Sequence, residues 1–209
     1  MNALAQLRIR GTRLLAWFGW GCTASLALLA LLFDMHNPIS AILFSAALNI
    51  FPTLSAMARR YDFSVGAMIG TGAAIQPALL VYMLTGHPWQ MEGHMYFFVG
   101  LAALTLLCDW RPIAVATGVI AIHHVLLSYV APELVFIGSG NLARVMVHAL
   151  AVSLVLGMTG PVMVHMSKLF VEQAEARAQS EQSAQSAHDA LAATRLAEEA
   201  VGTERHEGL

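Results

Sequence analysis

Residues 119–130 read VIAIHHVLLSYV, a run apolar enough to cross a bilayer that nonetheless carries two adjacent histidines, His123 and His124. Burying an imidazole in hydrocarbon is costly unless the ring finds a partner, so a histidine inside an apolar span marks a functional site. The stretch sets two expectations at once: a helix within a membrane, and a site inside it.

Working outward, the rest of the chain repeats the pattern. With 57% hydrophobic and only 11% charged residues over 209 positions, the composition is that of a polytopic membrane protein. Windows of roughly 19 residues pick out six apolar segments near the length a helix needs to cross hydrocarbon. They lie at 14–33, 39–58, 63–84, 90–108, 112–130 and 142–166, separated by short polar or helix-breaking stretches such as DMHNP, ARRYD, TGHPW and DWRP. The expected fold is all-α: a six-span membrane bundle over 14–166, a cytoplasmic segment at 1–13 and a cytoplasmic helical tail at 167–209. The first segment follows Arg8, Arg10 and Arg13 as a signal peptide would, but it ends in DMHNP rather than a small-residue cleavage site and reads as a retained helix.

Basic residues fix the expected orientation, because short loops rich in Lys and Arg stay cytoplasmic. Arg8, Arg10, Arg13, Arg59, Arg60, Arg111 and Lys168 fall on one side, and Arg144 on the other. Both termini are therefore expected in the cytoplasm. The outer turns are too small to form a folded ligand-binding domain. Cys22 and Cys108 supply neither a disulfide framework nor a CxxC metal motif. The sparse charge of the membrane half excludes a nucleic-acid partner.

After Met166 no proline or glycine stops the helix, and Ala, Glu, Gln and Arg dominate the following stretch. A continuous helix into the cytoplasm is expected, fraying from Gly202. A weak 3,4 spacing at Ala184, Ala187, Leu191 and Thr194 is compatible with a homodimer.

Nine histidines occur in the chain. Counting along the helices at 1.5 Å per residue places His94, His124 and His148 at one level, ~9 to 12 Å below the outer ends of the fourth, fifth and sixth spans. His123 and His124 differ by about 100° around their helix, so sequence leaves open which one faces the site. Imidazoles converging from three helices would hold copper, aided by Met91, Met95 or Met146, or zinc, or the iron of a b-type haem. Arg144 lies one turn outside His148 and would repel a bare cation but pair with a haem propionate, which favours haem. Against these stand histidines that merely bond to one another, to Tyr96, Ser128 or Tyr129, or to water.

GHPWQMEGHMYFFVGLAALTLLCDWRP, VIAIHHVLLSYVAPELVF and NLARVMVHALAV together resemble a histidine-containing membrane input module at the N-terminus of bacterial methyl-accepting chemotaxis proteins and related signalling proteins. The likeness is best over about residues 86–166. It implies a sensor, not an enzyme, that passes a conformational change to a cytoplasmic signalling domain or protein, with His94, His123, His124 and His148 at the module's histidine positions. The alternatives are a cytochrome b-like electron-transfer subunit and, less supported, a transporter.

Overall fold

The computed structural model describes residues 3–136 and 142–207, with side chains as far as Arg195. Within them the chain is helical throughout, without a strand. The order is α1 (Ala3–Leu32), α2 (Pro38–Met57), α3 (Phe63–Met83), two short helices α4 (Gln90–Gly93) and α5 (Tyr96–Ala103), a 3-10 turn at Leu104–Leu107, α6 (Trp110–Val130), a 3-10 turn at Pro132–Leu134, and α7 (Leu142–Glu207). The helices fall into two units, Met1–Ser167 and Lys168–Leu209. α7 remains helical beyond Gly202, where fraying was expected.

Five helices, α1, α2, α3, α6 and α7, are long and apolar enough to cross a membrane. Large apolar side chains face outward from them: Trp17, Leu31, Ile39, Met57, Tyr129 and Met158 are each 71–84% exposed. Apolar surface on this scale suits lipid rather than water, consistent with a multi-pass membrane protein.

The segment 90–108, expected as a sixth uninterrupted span, is a series of short helical pieces. Around His94 the backbone switches to i−3 bonding: His94 N–H donates to Met91 O (3.2 Å), Met95 to Glu92 (3.1 Å) and Phe97 to His94 (3.1 Å). The dihedrals stay helical, with His94 at φ −64°, ψ −26°, so the turn is overwound rather than unfolded. The His94 Nδ1 bonds to the Gln90 carbonyl (3.0 Å), which the residue's own N–H would take in a regular α-helix; the same ring-to-carbonyl bond at His124 and His148 leaves α6 and α7 regular. The segment ends at Cys108, held at φ 45°. There Arg8 reaches from α1 to the Leu107 and Cys108 carbonyls (3.3 and 3.1 Å), so the N-terminal stretch taken as a separate cytoplasmic segment is the first part of α1.

α3 is the packing centre, in contact with α1, α2, α5 and α6. Small residues permit the closest approaches: Gly70 of α3 lies on the Pro112 carbonyl and Gly100 of α5 on the Ala73 carbonyl, where an added Cβ would overlap backbone. The main core gathers Val65, Ile69, Leu101, Leu104, Leu107, Ile113 and Ile120, joined by Val152 and Met163 of α7.

Many polar side chains inside the bundle are paired. Thr23 and Ser45 share a hydrogen bond, Ser45 Oγ donates to Gln76 Oε1 (2.7 Å), Gln76 Nε2 to Asn49 Oδ1 (3.3 Å) and Asn49 Nδ2 to Thr23 Oγ1 (2.9 Å). Thr23 Oγ1 also reaches the Gly19 carbonyl (3.2 Å), so the four side chains form one hydrogen-bonded cluster across α1, α2 and α3. At another joint, Asp109 caps α6 by accepting from the Arg111 backbone (3.1 Å), receives the Arg111 guanidinium (2.7 Å) and binds Tyr61 Oη (2.8 Å). Burial pushes the Asp109 carboxyl up, but the bonds from Arg111 and Tyr61 outweigh it and hold it below the ordinary carboxylate range.

Two outcomes follow from this packing. Gly70→Val and Gly100→Val should each lower the melting temperature in detergent sharply, by overpacking of about 1–3 kcal/mol or more, whereas Gly118→Val, which meets open space, should leave it unchanged; equal effects would contradict the packing. Because the folded-state pKa of Asp109 is depressed, its stabilisation is fully present above the ordinary value of about 3.9 and is lost as pH falls through the lower folded value. Acid melts of the wild type and Asp109→Asn should therefore converge at low pH, with the variant less stable only at higher pH.

Candidate metal centre

Three of the expected histidines converge. His94 enters from the overwound turn between α4 and α5, His124 from α6 and His148 from α7, all within the first unit. Their ring centroids are 5.9 Å (94–124), 5.7 Å (94–148) and 5.2 Å (124–148) apart. The three offer ring nitrogens that all lie within 4.8 Å of one another.

One local device orients all three rings. His94 Nδ1 bonds to Gln90 O (3.0 Å), His124 Nδ1 to Ile120 O (2.9 Å) and His148 Nδ1 to Arg144 O (2.8 Å), each one helical turn back. A carbonyl only accepts, so each Nδ1 carries the proton and each neutral ring is left with a lone pair on Nε2. Fixing one ring nitrogen on a carbonyl so that the other is free is the outer-shell arrangement of metal-ligating histidines. Among the described residues, the buried side-chain atoms without a hydrogen-bond partner are Nε2 of His94, His123 and His124 and the hydroxyl of Thr117. His94 and His124 are 6% and 3% exposed.

The surroundings are aromatic and apolar. Phe136 stacks on His94 (5.9 Å, 6° between planes) and meets His124 and His148 at 6.0 and 5.5 Å, while Phe97 meets His124 at 5.5 Å. Gln90, itself buried, donates to Glu133 O (2.8 Å) and so ties α4 to the turn after α6. A small cavity of about 60 Å³ borders His124 and His148, with Thr117 and Ile120 in its wall. A larger one of about 400 Å³ lies elsewhere, between α1, α2, α3 and α5.

His123 is not part of the trio. Its ring lies beside those of His124 (5.2 Å) and Phe97 (6.1 Å), partly buried. The open choice between the two neighbours thus falls to His124. Arg144 places its guanidinium 5.3 Å over the Phe136 ring, so it borders the site through that ring. Met91, Met95 and Met146, weighed as copper ligands, are exposed. His36 packs on Tyr82 and His87 on Trp89 in turns away from the trio. Of the turn after α6, residues 137–141, including Asn141 used to gauge the depth of His148, lie outside the described residues.

Sequence reading missed Phe136, Phe97, Gln90 and Thr117. Phe136 sits past the end of α6 and gave no periodic signal. Thr117 did carry one, since it stands seven residues before His124 and therefore on the same helix face.

His123→Leu should leave stability unchanged or raise it by about 1 kcal/mol, because it removes a buried nitrogen without a partner and keeps the volume; a marked fall in melting temperature would show that His123 has a structural partner. No protein-family model, curated protein or solved structure matches the chain.

Proposed function

We propose that the chain is the membrane-embedded input module of a bacterial signalling system, and that His94, His124 and His148 bind a transition-metal ion that forms part of what it senses. The observation that carries the reading is the convergence of three imidazoles, each with Nδ1 held on a carbonyl of its own helix, and with Nε2 of His94 and His124 buried without a partner. A polar cluster that served only to hold helices together would pair those atoms with one another, as Thr23, Ser45, Asn49 and Gln76 do. Metal–imidazole bonds of about 2.0–2.1 Å require the nitrogens to close to roughly 3.5 Å, a contraction within reach of small side-chain rotations.

Between the metal and haem readings, the surroundings support a bare ion. A ligand of drug size occupies about 300 Å³ or more, whereas the cavity beside His124 and His148 is about 60 Å³ and the rings of Phe97 and Phe136 fill the neighbourhood. A macrocycle would have to displace both. Arg144, which suggested a propionate partner, has the Phe136 ring under its guanidinium.

The signalling part of the proposal draws on the sequence resemblance and on α7, which carries His148 and extends from Leu142 to Glu207. A change in coordination at His148 would act directly on this helix. The proposed placement is the inner membrane with both termini in the cytoplasm, segment 90–108 serving as a sixth, irregular span, and two copies associating through the part of α7 beyond residue 167.

Protein purified from cells grown with copper, zinc and haem precursor should contain one metal ion per chain and show no Soret band. His94→Ala, His124→Ala and His148→Ala should each weaken binding more than about 100-fold, and His123→Ala no more than a few-fold. A metal-free protein, or one with a dithionite-sensitive Soret band, would overturn the metal reading. Single cysteines along residues 174–191, in a background lacking Cys22 and Cys108, should crosslink two copies with helical periodicity; uniform absence of crosslinks would remove the dimeric relay.

A further inference from the structure

The metal reading leaves open which ion the site takes, and the charge balance around the three rings decides it. With the Nδ1 proton held on a carbonyl, each imidazole would meet an ion through Nε2 as an uncharged ligand. The group of potential ligands contains no carboxylate and no thiolate. Glu92 and Glu133, the acids nearest in sequence, are exposed. The nearest full charge with a contact to the aromatic wall is positive: the Arg144 guanidinium over Phe136, whose ring in turn stacks on His94. Phe97, Phe136, Ile120, Val145 and Val152 make most of the remaining surroundings apolar, with Thr117 and Ser153 as the uncharged polar residues of the cavity wall.

In such a setting an ion keeps its whole charge. The cost of transferring it from water grows as the square of that charge, so a divalent ion pays about four times what a monovalent one pays. Zinc sites also complete four ligands with thiolates, carboxylates or a bound water. Here the described side chains offer three nitrogen donors, and a fourth ligand to a divalent ion would have to be a water in the cavity of about 60 Å³ beside Thr117. Of the transition metals that imidazole suits, copper alone has a stable monovalent state in biology, and Cu(I) is content with three nitrogen donors in a plane.

We infer that the site is selective for Cu(I), bound by His94, His124 and His148 alone. This rests on the metal reading above and goes beyond it by naming the ion and its charge. The ion enters and remains as Cu(I), so binding involves no electron transfer, and because each Nε2 is already unprotonated it releases no proton from the rings. Arg144 then acts as a selectivity element, raising the penalty on divalent ions without touching the metal.

The test is anaerobic titration of the full-length protein in detergent with Cu(I), generated by ascorbate and buffered by bicinchoninate, and in parallel with Zn(II) and Co(II). One Cu(I) per chain should bind at least about 100-fold more tightly than either divalent ion. His124→Ala and the half-buried His148→Ala, each checked for helicity and monodispersity, should lose Cu(I), while His123→Ala retains it. Arg144→Gln should narrow the preference for Cu(I) over Zn(II). Zn(II) or Co(II) binding as tightly as Cu(I) at these residues would overturn the inference while leaving the metal site standing. Failure of all three ions to bind would overturn both.

Discussion

A polar group enclosed among apolar helices has no water to turn to, and every hydrogen bond inside this bundle answers that constraint. Thr23, Ser45, Asn49 and Gln76 bond to one another. Asp109 is shared by Arg111 and Tyr61, and Arg8 covers carbonyls left open where the segment after α5 ends. At the histidine site the rule is satisfied on one side only: three Nδ1 atoms are bonded, while Nε2 of His94 and of His124 has no hydrogen-bond partner. The half-satisfied rings of His94 and His124, at 6% and 3% exposure, are expensive to maintain. A cation accepting those lone pairs removes the expense, which is why the site reads as a ligand set.

The same carbonyl bond links fold and site. At His94 the Gln90 oxygen meets the ring while the backbone N–H bonds at i−3, and the segment is α4, an overwound turn and α5 rather than one straight helix. Gln90 then reaches Glu133, and Phe136 behind it lies flat on His94. Irregular backbone at a site buried among helices is tolerated where the protein itself supplies the partners. Here it brings a ligand from a short helix to the level of ligands from two long ones.

Much of this was legible in the sequence, and the failures have physical causes. The apolar segments 39–58, 63–84 and 112–130 closely match α2, α3 and α6, because length and hydropathy alone set them. The common depth of His94, His124 and His148 followed from the fixed rise of a helix, and they do meet. Which of His123 and His124 would turn inward depends on helix rotation, set by packing of Ile113, Ala116, Ile120 and His124 on one buried face; no local residue announces it. Segment 90–108 is apolar enough to look like a uniform span, and hydropathy does not register the switch to i−3 bonding around His94. The exposure of Met91, Met95 and Met146 likewise depends on helix rotation rather than on nearness in sequence.

The central claim, that three neutral imidazoles are held with Nδ1 protonated and Nε2 lone pairs inward before any ion arrives, is open to direct test by nitrogen-15 NMR of histidine-labelled, metal-free protein in detergent near pH 7. The account predicts three rings locked as the Nδ1–H tautomer, assigned by His94→Gln, His124→Gln and His148→Gln, whose unprotonated Nε2 signals shift together on addition of one equivalent of metal. Nε2–H tautomers at these positions, or averaged signals like those of free histidine, would contradict it.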